Sequence, residues 1–209
     1  MRHKFIAIEG NIGAGKTSLA TRLSKHLNSK LILERFADNP FLPKFYEEPE
    51  RYSFPLELSF LAERYHQLKD ELSSDLFSPH IVSDYMFDKS LLFARINLKE
   101  DEFLLYEKLF RIITATLPKP DLLVYLHHET GRIQEHIKLR GREYEQNIKT
   151  DYLEKLQTNY FEFLKQRTDL KILMLDMKSN SFVHHEGDFE KILAVLNEEY
   201  GYGMNKAEV

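Results

Sequence analysis

An α/β fold, an open parallel five-stranded sheet flanked by helices, is what the 209-residue sequence predicts. Three observations predict it. Short apolar runs of strand length alternate with stretches of helical apolar spacing along the whole chain. The first such run passes through a glycine-rich turn directly into a helical pattern. No internal repeat or low-complexity linker divides the chain, so residues 1–209 are expected to form one domain. Strands separated by helices pair in parallel, with helices on both faces and right-handed crossovers.

The elements follow in order. Lys4–Ile8 is a short apolar run closed by Gly10, the pattern of a buried strand. Lys16–Asn28 places Leu19, Leu23 and Leu27 at helical spacing, and Lys30–Glu34 reads as the second strand. Pro40, Pro43 and Pro49 punctuate a loop with a short helix. Tyr52–Leu72 carries a long helical pattern through Leu58, Leu61, Tyr65 and Leu68. His80–Asp84 is strand-like and ends in a carboxylate, and Ser90–Leu98 and Glu102–Leu117 are apolar helices. Asp121–Leu126 is the clearest strand, and Thr130–Leu139 and Thr150–Lys165 are helices on either side of a basic turn. Lys171–Asp176 is a late strand and Phe189–Tyr200 a closing helix. The tail through Asn205-Lys206-Ala207-Glu208 reads as a frayed terminus.

Composition excludes several classes. An apolar fraction of 43% with 30% charged residues describes a globular chain rather than a disordered one. The net charge of −4 argues against a nucleic-acid partner, whose footprint is basic. The absence of cysteine removes disulfides, thiol catalysis and Cys-ligated metals. The apolar run at the N-terminus, Phe5 to Ile8, is too short for a signal peptide or a spanning helix, so no membrane association and a cytoplasmic location are expected.

Gly10-Asn-Ile-Gly-Ala-Gly15-Lys16-Thr17 fits the Gly-x-x-x-x-Gly-Lys-Ser/Thr phosphate-loop pattern, after a strand and opening a helix. Residues Gly10, Asn11, Ile12, Gly13, Ala14, Gly15, Lys16, Thr17 and Ser18 are therefore the expected cradle for the phosphates of ATP or another nucleoside triphosphate. Inward N–H groups and the helix N-terminus favour the anion. Lys16 reaches the β/γ-phosphates, and the Thr17 hydroxyl suits Mg²⁺. Asp84, at a strand end, is the expected second magnesium-organising group, directly or through water. The bland alternative for Asp84 is a helix cap or turn residue. A guanine-reading Asn-Lys-x-Asp segment is missing and the chain leaves no room for a motor module, so a small-molecule kinase leads.

Beyond the loop the sequence resembles the deoxyribonucleoside kinase family, the group of deoxyguanosine, deoxyadenosine and deoxycytidine kinases. The resemblance rests on residues 6–17, on Phe45-Tyr-Glu-Glu-Pro-Glu-Arg-Tyr-Ser-Phe54, on Leu139-Arg-Gly-Arg-Glu-Tyr-Glu-Gln146 and on Tyr152-Leu-Glu-Lys-Leu156. It implies a phosphate-loop kinase fold with a short Arg-rich lid, at about 136–147 here. It also implies a homodimer packed through helices, and transfer of a phosphoryl group from a nucleoside triphosphate with Mg²⁺ to the 5′-hydroxyl of a deoxynucleoside.

The family's site residues carry over position by position. Glu34 stands where the family places its general base, a carboxylate that accepts or orients the 5′-hydroxyl proton. Its alternative is a solvated Glu paired with Arg35. Tyr46 and Glu145 match the pair that holds the sugar 3′-hydroxyl, a pairing implied by the resemblance alone. Arg140 and Arg142 flank Gly141 in the lid and are expected to clamp the transferring group, with His136 where the family often has a further Arg.

Base recognition departs from the family. Glu57 occupies the place of a base-reading Gln, so donors must come from the base, which favours a purine. Arg64, two helical turns on, matches a base-facing Arg of purine-using relatives. Phe93 sits where the family stacks an aromatic, or is a core residue. After Asp84 the family reads Arg-Ser, whereas this chain has Tyr85-Met86; Lys89, Arg95 or a lid Arg is left to replace that cation.

The expected function is transfer of the ATP γ-phosphoryl group to a purine deoxynucleoside, deoxyadenosine and/or deoxyguanosine, in nucleotide salvage. The alternatives are a thymidylate-like nucleoside monophosphate kinase, which needs a cation for the acceptor phosphate, and a non-catalytic nucleotide-binding regulator.

Overall fold

The computed structural model describes residues 2–36, 39–73, 80–115, 117–178 and 181–209. The chain runs β1 (Phe5–Gly10), α1 (Lys16–Leu27), β2 (Lys30–Ile32), α2 (Leu42–Glu47), α3 (Pro49–Ser73), β3 (Ile81–Ser83), α4 (Lys89–Asn97), α5 (Glu100–Thr114), β4 (Leu122–His127), α6 (Thr130–Arg140), a 3₁₀ turn (Glu143–Glu145), α7 (Thr150–Gln166), β5 (Lys171–Asp176), α8 (Glu186–Leu196) and β6 (Gly203–Glu208). The sheet has six strands in the order β2-β3-β1-β4-β5-β6. Each neighbouring pair is parallel.

Alternation along β1 decides which layer each residue enters. Ile6 and Ile8 join Leu19 and Leu23 of α1 and Phe189 and Ile192 of α8 on one face. Phe5 and Ala7 join Leu123, Tyr125, Leu156 and Tyr160 beneath α7 on the other. Every residue of β1 is buried, as a central parallel strand requires. Full burial of a leucine such as Leu19 or Leu23 contributes about 1.5–3 kcal/mol. A third cluster, with Leu61, Leu68, Tyr85, Phe87, Tyr106 and Phe110, joins α3 to α5.

The expected five strands become six. Gly203–Glu208 pairs with β5 from Lys171↔Gly203 to Asp176↔Glu208. Its sequence, GMNKAE, lacks an apolar run because it is an edge strand and only half-buried. Boundaries of four further elements also move. The long helix starts at Pro49 and continues through Pro55. β2 and β3 stop at Ile32 and Ser83, leaving Glu34 and Asp84 just beyond the strand ends. The last helix runs from Glu186 to Leu196. Because all strands are parallel, Gly10, Glu34, Asp84 and His128 follow the carboxyl ends of their strands and collect along one edge of the sheet.

Among the described residues no helix is long and apolar enough to cross a membrane.

Candidate active site

The phosphate loop bends between β1 and α1. Gly13 and Gly15 take φ of +83° and +86°, values that place the loop's peptide groups where a chain of ordinary residues would strain. Asn11 is buried; its Nδ2 donates to the Leu153 carbonyl at 2.8 Å, and its Oδ1 accepts from Ile12 N–H at 2.8 Å. The Lys16 ammonium donates to the Gly10 and Asn11 carbonyls at 3.0 and 2.9 Å, curling over the loop. Burial, then repulsion from Lys89, lowers Lys16 to about 8.

Asp84 joins the donor side to the acceptor side. Its Oδ2 accepts from the Thr17 hydroxyl at 2.5 Å and its Oδ1 from the Glu34 N–H at 2.7 Å. A hydroxyl and a carboxylate oxygen together are hard ligands of the kind magnesium takes, with its remaining positions filled by water and phosphate. The donor set of Thr17 and Asp84 therefore fits that ion.

Glu34 is clamped by two cations. Arg64 Nε and Nη2 donate to Oε1 at 2.8 and 2.6 Å, and Lys89 Nζ donates to Oε2 at 2.6 Å. The carboxylate is lowered to about 2: burial alone would raise it, and the charges of Lys89 and Arg64 outweigh that cost. Lys89, from the first turn of α4, thus faces Glu34 together with Arg64. Arg35, the alternative partner, lies instead near Glu63 and Glu71. Arg64 also donates to the Ser90 hydroxyl at 2.9 Å. Arg64, expected to face the base, thus uses three of its five N–H groups on Glu34 and Ser90.

The segment 136–147, expected to form a lid, takes in the last turn of α6, which is capped by Gly141 in the left-handed region (φ +72°). Arg140 and Arg142 both donate to Glu145, Arg142 at 3.1 Å. Arg142 also lies over the Phe36 ring. His136, in place of a further Arg, donates from Nδ1 to the Gly13 carbonyl at 2.9 Å, so it braces the phosphate loop. Tyr46 stacks on Tyr144 of the lid, with centroids 5.8 Å apart. Burial raises its phenol far above 10, so it is neutral.

Glu57 is 1% exposed, so this part of α3 does not present it to solvent. Its Oε1 accepts from Asn97 Nδ2 at 2.7 Å. Burial raises its carboxyl to about 7. Phe93 meets Tyr160 edge to face at 6.3 Å.

Two clefts receive these groups. One is lined by Glu34, Tyr46, Glu57, Arg64, Phe93 and Glu145, among others. The other is lined by residues 13–18, His128 and His136 of the α6 side and Ser181–His184. Lys16, Thr17, Glu34, Asp84, Arg140 and Arg142 line both. Several participants were not singled out in the sequence. Glu9, wholly buried, accepts from Met86 N–H and the Tyr160 hydroxyl, each at 2.9 Å. Its signal was a carboxylate inside an apolar strand. Asn97 carries no motif, and Tyr152, though it opens the matched Tyr152–Leu156 segment, has no role assigned there; packing brings the two together.

Comparison with known proteins follows this geometry. The family model described as deoxynucleoside kinase matches residues 6–199. The deoxyguanosine kinase of Bacillus subtilis is 40% identical over 201 residues, covering 93% of this chain and 96% of that protein. The deoxyadenosine/deoxycytidine kinase of the same organism is 29% identical, covering 92% and 91%. Among solved structures, deoxyadenosine kinase from M. mycoides with bound dATP superposes with a TM-score of 0.80 at 26% identity, covering 94% of this chain and 100% of that one. With the family model spanning nearly the whole chain, this protein belongs to the deoxynucleoside kinase family and is an ATP-dependent kinase.

Proposed function

We propose that this chain transfers the γ-phosphoryl group of ATP, or of another nucleoside triphosphate, to the 5′-hydroxyl of a purine deoxynucleoside, deoxyguanosine and/or deoxyadenosine, in salvage. One observation carries the reading: the phosphate-loop cleft and the second cleft meet at Lys16, Thr17, Glu34, Asp84, Arg140 and Arg142. A donor phosphate and an acceptor hydroxyl entering from opposite sides come together at those groups, and such transfer depends mostly on positioning and charge stabilisation.

In this reading the loop N–H groups and Lys16 hold the triphosphate. Thr17 and Asp84 would hold magnesium, which would neutralise charge on the phosphates when bound. Glu34 takes the hydrogen bond of the 5′-hydroxyl and aims its oxygen at the γ-phosphorus. The new O–P bond forms as the bond from the γ-phosphorus to the ADP oxygen breaks. A carboxylate lowered to about 2 is a weak base, so Glu34 orients the hydroxyl first and receives its proton late, once bonding to phosphorus has acidified it. Arg140 and Arg142 turn from Glu145 toward the transferring group. Tyr46 and the Glu145 so released hold the 3′-hydroxyl, and Glu57, with Phe93 beside it, meets the base edge.

The cleft chemistry favours a bare sugar over a nucleoside monophosphate. Among the described residues, Arg64 and Lys89 of the acceptor cleft pair with Glu34, and the lid arginines, once released from Glu145, are taken by the transferring group. The Bacillus subtilis relative named deoxyguanosine kinase supports a purine acceptor. A homodimer through α5 is part of the proposal: Leu104, Leu105, Leu109 and Ile112 are exposed on it. So is a cytoplasmic setting, which suits a chain without cysteine.

Product analysis tests the reading. With ATP and magnesium, a panel of the four deoxynucleosides, adenosine, guanosine and thymidylate should yield monophosphates from the purine deoxynucleosides. Conversion of thymidylate to its diphosphate, or no turnover of any acceptor, would overturn it.

A further inference from the structure

The acceptor cleft ends in a chain of three polar side chains with a defined direction. The Tyr152 hydroxyl of α7 donates to Asn97 Oδ1 at 3.2 Å. The Asn97 amide therefore turns its Nδ2 toward Glu57, whose Oε1 accepts at 2.7 Å. Glu57 Oε2 is buried and has no hydrogen-bond partner among the described residues, and Glu57 lines the cleft. With Oε1 held as an acceptor, a proton taken up by this carboxyl sits on Oε2. One proton thus converts the unpartnered oxygen from acceptor to donor.

We propose that the protonation state of Glu57 decides which purine the cleft takes, the carboxylate selecting guanine and the carboxylic acid selecting adenine, with Asn97 and Tyr152 as positioning residues. The inference rests on the purine deoxynucleoside reading given above.

Base chemistry sets the signs. Guanine presents N1–H and N2–H₂ side by side, and a carboxylate accepts from both in charge-assisted bonds. A protonated Oε2 would set O–H against N1–H, donor against donor. Adenine presents N1, an acceptor, beside N6–H₂. A carboxylate oxygen facing N1 sets acceptor against acceptor. The acid donates to N1, and the second lone pair of Oε1 accepts from N6–H.

The surroundings leave Glu57 as the group that changes charge near neutrality on this side of the cleft. Arg64 faces it from the same helix, Lys89 from α4 and Glu34 from the segment after β2. Tyr106 of α5 donates to the Glu57 backbone carbonyl at 3.4 Å, and Tyr152 approaches from α7. Burial raises both phenols, so they stay neutral. Glu34 is lowered and Arg64 raised, so both stay charged. Burial outweighs the attraction of Arg64 and Lys89 and brings Glu57 to about 7.

The test is a competition assay on the wild-type enzyme, with deoxyguanosine and deoxyadenosine together, ATP and magnesium, from pH 6 to 8.5. Its readout is the ratio of the two kcat/KM values. Groups acting equally on both substrates, Lys16 included, cancel in that ratio. The ratio of guanine to adenine use is expected to rise with pH, by up to about tenfold per pH unit, as the base-to-acid ratio of Glu57 does. It should be flat in Glu57→Gln. A constant wild-type ratio, no deoxyadenosine turnover at any pH, or an unchanged slope in Glu57→Gln overturns the proposal. Tyr152→Phe frees the Asn97 amide and should weaken the slope while leaving the KM for ATP unchanged; an unchanged slope there overturns the positioning chain. Turnover with a flat ratio removes this inference alone, whereas failure to phosphorylate either nucleoside at any pH removes the acceptor assignment as well.

Discussion

The ammonium of Lys89 lies 2.6 Å from Oε2 of Glu34, on the oxygen opposite the one Arg64 holds. Where the resemblance places a cation directly after Asp84 this chain has Tyr85, and Lys89 in the first turn of α4 is one of the two cations on Glu34. Two cations on one carboxylate leave one of them free to turn to the incoming phosphoryl group while the other keeps Glu34 in place.

Lys89→Met is therefore expected to lower kcat by about 10²–10³, the cost of losing one donor aimed at developing charge. It should change the KM for the deoxynucleoside far less. Lys89→Arg should restore part of kcat. With Lys89 gone the depression of Glu34 weakens, so an acid limb should move up in the kcat profile toward the usual carboxylate range. Steady-state kinetics over pH check both effects, and an unchanged kcat in Lys89→Met removes the role.

The pH dependence of stability separates Glu34 from Glu57. Glu34 is lowered from 4.5 to about 2, so its stabilising contribution is present in full above about 4.5 and is lost as pH falls toward 2. Glu57 is raised from 4.5 to about 7, so it opposes folding above 7 and the penalty disappears as pH falls from 7 to 4.5. Thermal stability should rise by about 1–3 kcal/mol on acidification from pH 7.5 to 5, and fall below about pH 4.5. Glu57→Gln should shrink the rise and keep the fall, as read from Tm against pH; the part that remains belongs to Glu9, which burial also raises.

The legible part of this protein was local, and the rest depended on packing. The phosphate loop, Glu34 and Asp84 stand at strand ends in a parallel sheet, so motif and element order together locate them. The pairing of Lys89 with Glu34 spans 55 positions in sequence, and no periodicity reports it. Arg64 lies on the same helix as Glu57, but its donors point to Glu34 and Ser90, because helical spacing fixes a face and not the partner that face meets. Strand β6 was hidden for the opposite reason: an edge strand needs only a parallel neighbour, and Gly203–Glu208 pairs without an apolar signature.

Lys16 gives a second pH prediction. Its amine is lowered to about 8 by burial and by Lys89, so the free enzyme loses this charge as pH rises through 8. The kcat/KM for ATP, which reports the free enzyme, should fall on the alkaline side with a midpoint near 8. The kcat should hold to higher pH, because bound phosphates favour the ammonium. Lys16→Ala should remove about 100-fold or more of the turnover with the far-UV spectrum unchanged. An alkaline limb common to kcat and kcat/KM would rule out this assignment.

Gly13 couples the phosphate loop to the lid helix. Its φ of +83° suits glycine, and a Cβ there would stand 2.9 Å from Ile137 Cγ1 and 3.1 Å from the Ile133 carbonyl. Ile133 and Ile137 are buried in α6, which leads directly to Arg140, and His136 holds the Gly13 carbonyl from the same helix. Gly13→Ala meets two costs, about 1–2 kcal/mol for a left-handed L-residue and about 1–3 kcal/mol for overpacking. Tm should drop by about 5–15 °C. The crowding is relieved by moving α6 away from the loop, which carries Arg140 and Arg142 with it, so kcat should fall more than the KM for the deoxynucleoside. Ile137→Ala clears the crowded atom, so the double variant should lose less stability than the two single losses combined. Strict additivity would show that the loop and α6 do not press on one another.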